Sequence, residues 1–200
     1  VTGVQTCALP ICTLFFLLLL SIGAMIAWAD YTDYEPAPTV TLTQDASPTL
    51  TRITQDTLNF FNWNIGFCGL GEESDFFYDG GQHTRMEASV VEKNYLGVLD
   101  VLKSYQEEVD FFLLQEVDRS SKRSHYNDQV AGIMQSMEGY GATFAKNFQV
   151  DFIPLPIQRP MGKVNSGLLS LSRYQPELSE RHAYLGNYDW PNNLFFLDRC

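Results

Sequence analysis

The sequence predicts a mixed α/β chain of the α+β type, on two observations. Aromatic residues are abundant, with 14 Phe and 10 Tyr in 200 residues, and aromatics suit a pleated, half-buried surface better than a helical bundle. Between Leu58 and Gln115, a strand pattern, a helical stripe and a second strand follow one another with short connections. That order is a crossover unit, whose neighbouring strands often run parallel. The length suits one domain with a sizeable core.

The first 29 residues carry no charge and are set aside from the fold. Residues 1–11 resemble a translated sequencing adapter. Residues 12–29 hold the run Leu14–Leu20, which continues apolar and ends in Ala27-Trp28-Ala29 before Asp30. The run is shorter than the ~20 residues of a spanning helix, and small-x-small closes it. It reads as a signal-peptide apolar region with its cleavage site, which implies a secreted or periplasmic protein. An uncleaved membrane anchor is the alternative, and membrane contact is expected only through this segment. Cys7 and Cys12 fall outside the domain, and Cys68 and Cys200 form no framework pattern, so no bridge is expected.

Residues 30–55, rich in Thr, Pro and Asp, read as a linker with an edge strand at Thr39–Thr43. The domain is expected over residues 56–200. Leu58–Ile65 is aromatic and partly alternating, hence a strand. Five glycines from Gly66 to Gly81 make a loop reaching about His83. Met86–Tyr105 carries Val90, Val91, Tyr95, Val98, Leu99 and Leu102, one apolar stripe of a helix. Phe111-Phe112-Leu113-Leu114 then reads as a strand buried on both faces. Parallel pairing of the two strands would bring Asn64 and Glu116 to the same edge. Arg119–Ser124 is a basic loop, Tyr126–Met137 a helix closed by Gly139-Tyr140-Gly141, and Thr143–Phe148 a strand. Val150–Gly162, with Pro154, Pro156 and Pro160, reads as a loop. Ser166–Ser172, Leu178–Leu185 and Leu194–Cys200 read as strands.

The net charge of −11 argues against non-specific nucleic-acid coating, which needs a basic surface. It leaves a metal-dependent enzyme open, because a divalent ion neutralises a carboxylate-lined pocket. Glu116, closing a rigid strand, is either a charge placed for chemistry or a solvated strand end. A hard ion such as magnesium needs only one or two carboxylates and keeps several waters. Asp118 is a possible helper or an ion-paired neighbour of Arg119. Asn64 could orient a phosphate or a metal-bound water, or cap its own loop. Arg119, Lys122, Arg123 and His125 form a local basic rim suited to a phosphate ester, or a solvated loop face. Lys163, Asn165 and Ser166 could reach the same edge, and Gly167 permits close backbone approach or marks a bulge. His83, His125 and His182 lack partners at ligand spacing. No phosphate-cradling Gly-rich loop ending in Lys-Ser or Lys-Thr, dinucleotide fingerprint, nucleophile elbow or zinc motif is present.

The order Trp63-Asn64-Ile65, then Leu113-Leu114-Gln115-Glu116-Val117-Asp118, then Gly167-Leu168-Leu169-Ser170-Leu171-Ser172-Arg173-Tyr174 resembles the endonuclease/exonuclease/phosphatase superfamily over roughly Leu58 to Cys200. The resemblance implies a deoxyribonuclease-like sandwich of two β-sheets flanked by helices, here its N-terminal portion. It implies catalytic roles for Asn64 and Glu116, with both near a Mg2+ or Mn2+ ion, Asp118 as possible helper, and substrate contacts from Arg119, Lys163 and Asn165. Arg173 matches an arginine with a mostly structural role, and Leu168 replaces an Asn found in many members. The family's later Asp-x-Asn and Asp-His motifs have no match, so the given chain is expected to be an inactive fragment of an exported metal-dependent phosphoester hydrolase. The implied partner is a phosphate ester, whether nucleic acid, phospholipid head group or small phosphate, with no stable protein partner. The alternative is a non-catalytic exported binding module on the same fold. Phe76-Phe77-Tyr78 and Phe148–Leu155 could supply a lipid-facing or base-stacking surface, or simply pack.

Overall fold

A long helix, α1, spans Gln5–Tyr31. Its stretch Pro10–Tyr31, 22 residues, is long and apolar enough to cross a membrane, a property it shares with signal sequences near an N-terminus. The apolar run counted from Leu14 to Ala29 looked shorter because helical residues flank it on both sides. Thr32 closes the helix, its hydroxyl donating to the Trp28 carbonyl at 2.9 Å. The computed structural model describes residues 5–186, 188–198 and 200, and the chain divides into two units, Val1–Asp33 and Tyr34–Cys200.

The second unit is α+β. Its strands are β1 (Thr39–Thr41), β2 (Gln44–Ala46), β3 (Phe60–Asn64), β4 (Phe111–Asp118), β5 (Gly141–Ile153), β6 (Gly162–Ser172) and β7 (Glu180–His182). Its helices are α2 (Ala88–Ser104) and α3 (Gln129–Ser136). Five strands form one mixed sheet in the order β2-β5-β6-β4-β3, and β1 and β7 form a separate antiparallel pair. The crossover is present: β3 and β4 run parallel, with Asn64 opposite Gln115. All other neighbours in the large sheet are antiparallel.

The core lies on one face of this sheet. Val91, Tyr95, Val98 and Leu102 of α2 share one stripe by their helical spacing. They pack with Phe112 and Leu114 of β4, Leu169 and Leu171 of β6, and Val130 and Ile133 of α3. Each such apolar side chain contributes about 1.5–3 kcal/mol relative to exposure. The opposite face of the sheet leaves Phe60 and Leu113 exposed.

Several boundaries differ from the sequence reading for local reasons. α3 starts three residues later than expected. The Asp128 side chain caps it by accepting from the Ala131 N–H at 3.0 Å, and His125 and Tyr126 sit at φ 54° and 61°, outside any helix. β5 runs to Ile153, because the first proline comes only at Pro154 and Val150 and Ile153 still pair with Val164 and Gly162. β6 accordingly starts at Gly162. The 30–55 segment, expected as a linker, supplies β1 and β2. β7 is three residues long. Among the described residues of 194–200 no strand forms, and a 3-10 turn occupies Asn192–Phe195.

Candidate active site

The parallel β3–β4 pair ends both strands at one edge, and there β4 departs from regularity. Its pairing with β6 shifts register between Leu114 and Val117, so Gln115 and Glu116 form a bulge. Glu116 takes φ 54°, a conformation that costs a non-glycine residue of order 1–3 kcal/mol. A bulge of this kind re-aims a side chain. Here the Glu116 carboxylate turns to β3, and Asn64 Nδ2 donates to Glu116 Oε1 at 3.0 Å. Asn64 Oδ1 accepts from the Gly66 N–H at 2.9 Å, which fixes the amide. Beside it, the Ile65 N–H donates to the Gln115 carbonyl at 3.1 Å. Asn64 is exposed and Glu116 half-buried. The Asn64 oxygen is thus turned toward Gly66 and its nitrogen toward Glu116. Of the two, Glu116 is the group with an oxygen to offer a cation, and Asn64 positions it.

Asp118 is not part of this edge. It is fully buried, and Arg123 grips it twice, Nη2 to Oδ1 at 3.0 Å and Nε to Oδ2 at 3.2 Å. Arg123 Nη2 also donates to Ser166 Oγ at 3.2 Å, and its guanidinium lies 3.9 Å from the Phe67 ring centroid. Gln129 completes the cluster, accepting from the Asp118 N–H at 3.0 Å and donating to the Phe67 carbonyl at 2.8 Å. A buried charge must be paired, and the sequence order of Asp118 and Arg123 did not reveal that they satisfy each other. Their expected roles, as helper ligand and as basic rim, give way to a structural ion pair.

The expected substrate contacts also separate. Arg119 donates from Nη2 to Asp45 Oδ2 at 2.7 Å and lies 4.7 Å from the Phe144 ring centroid. β2, unforeseen in the linker, supplies that partner. Asn165 is held by its backbone, its N–H donating to Ser121 Oγ at 2.9 Å, while its side-chain oxygen is buried without a partner. Lys163 is half-buried. Neither Lys163 nor Asn165 lines the cavity that contains Glu116. Arg173 is structural, donating from Nε to the Tyr140 hydroxyl at 2.9 Å. Each histidine is engaged elsewhere: His125 with the Met86 carbonyl, His83 with Asp75 and His182 with Glu180.

Set against protein-family models, curated proteins and solved structures, the chain matches none of them.

Two cavities flank the Asn64–Glu116 pair. One, about 560 Å³, runs beside Asn64 and is lined by Lys93 and Asn94 of α2. The other, about 310 Å³, contains Glu116 and Arg123 among aromatic rings. A larger cavity, about 780 Å³, lies on the open sheet face, away from Glu116. Lys93 and Asn94 escaped the sequence reading because they occupy the polar side of α2, where a solvated helix face looks the same. Lys93 pairs with Glu73 at 3.2 Å, and Asn94 donates to the Cys68 carbonyl at 3.2 Å. Cys68 is buried, and that burial, with the Asp118 charge adding to it, pushes its thiol up to about 12. Cys12, Cys68 and Cys200 are all free thiols.

Among the described residues, no group of three or more His, Cys, Asp and Glu side chains converges as a cage for a metal ion. A magnesium-type site asks for less. One carboxylate on a rigid edge, with water completing the shell, is a sufficient protein contribution. Glu116, with one oxygen held by Asn64 and fixed by a strained bulge, fits that description.

Proposed function

We propose that this protein is an exported, divalent-metal-dependent phosphoester hydrolase related to the endonuclease/exonuclease/phosphatase superfamily. The 3.0 Å contact between Asn64 and Glu116, at the shared end of two parallel strands, carries the reading. It unites the asparagine and the glutamate of the two motifs, which the sequence keeps 52 positions apart. The open face of the five-stranded sheet, where Phe60 and Leu113 are exposed, suits a second sheet and so supports the sandwich architecture. The apolar helix α1 is the support for export.

Glu116 would hold Mg2+ or Mn2+ through its carboxylate, and the ion, when bound, supplies stabilisation of the charge that develops on phosphate. Asn64 keeps that carboxylate in one orientation, which limits the reorganisation needed during reaction. The reaction would be in-line attack of water on a phosphodiester or phosphomonoester, without a covalent intermediate. The acidic surface favours small phosphates or head groups over duplex nucleic acid.

A non-catalytic binding module on the same fold is the second reading. The observation that favours it is the engagement of the three histidines away from Glu116. One experiment separates the readings. Mg2+ and Mn2+ are titrated calorimetrically into the wild-type chain and Glu116→Gln, and hydrolysis of bis(4-nitrophenyl) phosphate is followed in parallel. Metal binding and turnover that both fall in the variant support the hydrolase. Glu116-dependent metal binding without turnover fits both the inactive chain expected from the sequence and the binding module, and metal-dependent binding of the intact diester then favours the hydrolase. Equal metal affinity in the two proteins removes Glu116 from any metal site.

A further inference from the structure

The cavity of about 310 Å³ at Glu116 has a composition that the metal site does not explain. Alongside four aliphatic residues, its apolar wall has six rings: Phe67, Phe76, Tyr78 and Phe148, closed by Phe195 and Phe196. They are contributed by four separate segments: the turn after β3, the loop before α2, β5, and the 3-10 turn near Leu194. Most of these residues have little sequence reason to meet.

We propose that this cavity is a subsite for one planar aromatic group carried by a small phosphoester. The proposal rests on the hydrolase reading only for the phosphate, since ring binding needs no metal. Size comes first. The volume stands at the lower end of small-ligand pockets, enough for a single ring system and short of an extended lipid chain. Geometry comes next. Phe67 and Phe76 are tilted 52° at a centroid separation of 5.9 Å, and Phe76 and Tyr78 are tilted 49° at 5.6 Å. Tilted walls present both faces and edges, which a planar guest meets by offset or edge-to-face contact.

Charge narrows the guest further. Arg123 lines the cavity, but Asp118 neutralises it, so among the described residues Glu116 is the one uncompensated charge at the wall. A negatively charged ring would be repelled, and a neutral ring would not. Asn147 and Ser166 also line the space. The Asn147 amide can donate and accept, which orients a ring bearing a hydroxyl or a ring heteroatom. A polynucleotide is disfavoured by the net charge of −11, since its affinity would come from phosphate contacts to basic groups.

The test uses the full chain and two probes. The first is 2-naphthol without metal, titrated by the quenching of its fluorescence. The expected result is saturable one-to-one binding that weakens about three- to tenfold in both Tyr78→Ala and Phe196→Ala, the range of one aromatic contact. Both side chains are more than a third exposed, at 40% and 37%, so neither change removes core. Circular dichroism verifies the fold. Unsaturable binding, or binding unmoved by both substitutions, overturns the subsite. So does equal affinity for 1-octanol, which would make the cavity a slot for open chains. The second probe, 2-naphthyl phosphate with and without magnesium, separates the two proposals. Tyr78-dependent binding of 2-naphthol, with no magnesium enhancement of the phosphate, keeps the ring subsite and removes the metal reading.

Discussion

Asn64 Nδ2 donates to Glu116 Oε1 at 3.0 Å, and each residue is immobilised from a different side. Asn64 is pinned by the Gly66 N–H. Glu116 is pinned by a bulge that holds its backbone at φ 54°. A positive φ would be ordinary in a turn, but here it sits mid-strand and turns a carboxylate toward an amide. Strain of that kind is maintained only where surrounding contacts over-determine it, and the parallel β3–β4 register supplies those contacts.

This arrangement separates the roles of the two side chains. Removing the Glu116 carboxylate should abolish measurable Mg2+ binding. Asn64→Ala should leave the ligand but free its orientation, lowering affinity about 10–100-fold, as loss of an orienting partner does. Calorimetric titration of both variants checks the order. Loss in Asn64→Ala as complete as in Glu116→Gln would make Asn64 a ligand in its own right.

The Asp118–Arg123 pair should behave as architecture. Both side chains are nearly inaccessible, at 0% and 6%. Asp118→Asn therefore leaves a buried guanidinium uncompensated, with an expected loss of about 3–5 kcal/mol in urea unfolding. The double variant Asp118→Leu with Arg123→Met removes both charges and should recover much of that loss. A folded Asp118→Asn protein with full stability and no metal affinity would restore Asp118 to the metal site.

The sequence disclosed what period and order can disclose. The stripe Val91, Tyr95, Val98, Leu102 marked α2 and the apolar run marked β4. Their order implied the parallel pairing that brings Asn64 to Glu116. It did not disclose pairings made by side chains across the fold. Arg119 looked free because Asp45, 74 positions away, sat in a segment without periodicity. Arg123 looked like part of a basic rim because its partner Asp118 is a neighbour in sequence that could equally have faced solvent. The aromatic cavity was legible only as two aromatic-rich stretches. Nothing in their spacing says that Phe76 and Phe148 share one space. The Glu116 bulge showed only indirectly, through Gly167, read as a point of close approach or a bulge, which pairs with Val117 immediately after it.

Asp110 predicts the acid limit of the fold. Burial pushes its carboxyl up, but the Asn59 N–H, the Tyr174 hydroxyl, the Gln55 amide and the Arg173 charge together outweigh burial and hold it below the ordinary carboxylate value. Those hydrogen bonds are 2.8, 2.9 and 2.9 Å long. A depressed carboxyl stabilises the fold when ionised. Its contribution is complete above the unfolded value, about 3.9, and is lost as pH falls through the lower folded value. Asp110→Asn should therefore be less stable than wild type at neutral pH, with the gap closing below about pH 4. Urea midpoints measured from pH 2 to 7 check this, and a gap independent of pH would show that the charge contributes nothing.

Gly167 links stability to the site. An added Cβ would lie 2.3 Å from the Ala145 carbonyl oxygen and 2.7 Å from Phe144 Cζ. The nearest obstacle is backbone of the adjacent β5 strand, so relief requires β5 and β6 to part. Gly167 also pairs with Val117, the first regular residue after the Glu116 bulge. Gly167→Ala should cost about 1–3 kcal/mol, the usual penalty of overpacking, and should also weaken metal binding by loosening the register that aims Glu116. Gly97 is the internal control. It lies in α2 with nothing within 4 Å of a built Cβ, so Gly97→Ala should stabilise by about 0.5–1 kcal/mol and leave metal affinity alone. If Gly167→Ala lowers stability without moving the affinity of the folded protein for Mg2+, the bulge holds Glu116 by its own turn rather than through the β4–β6 register.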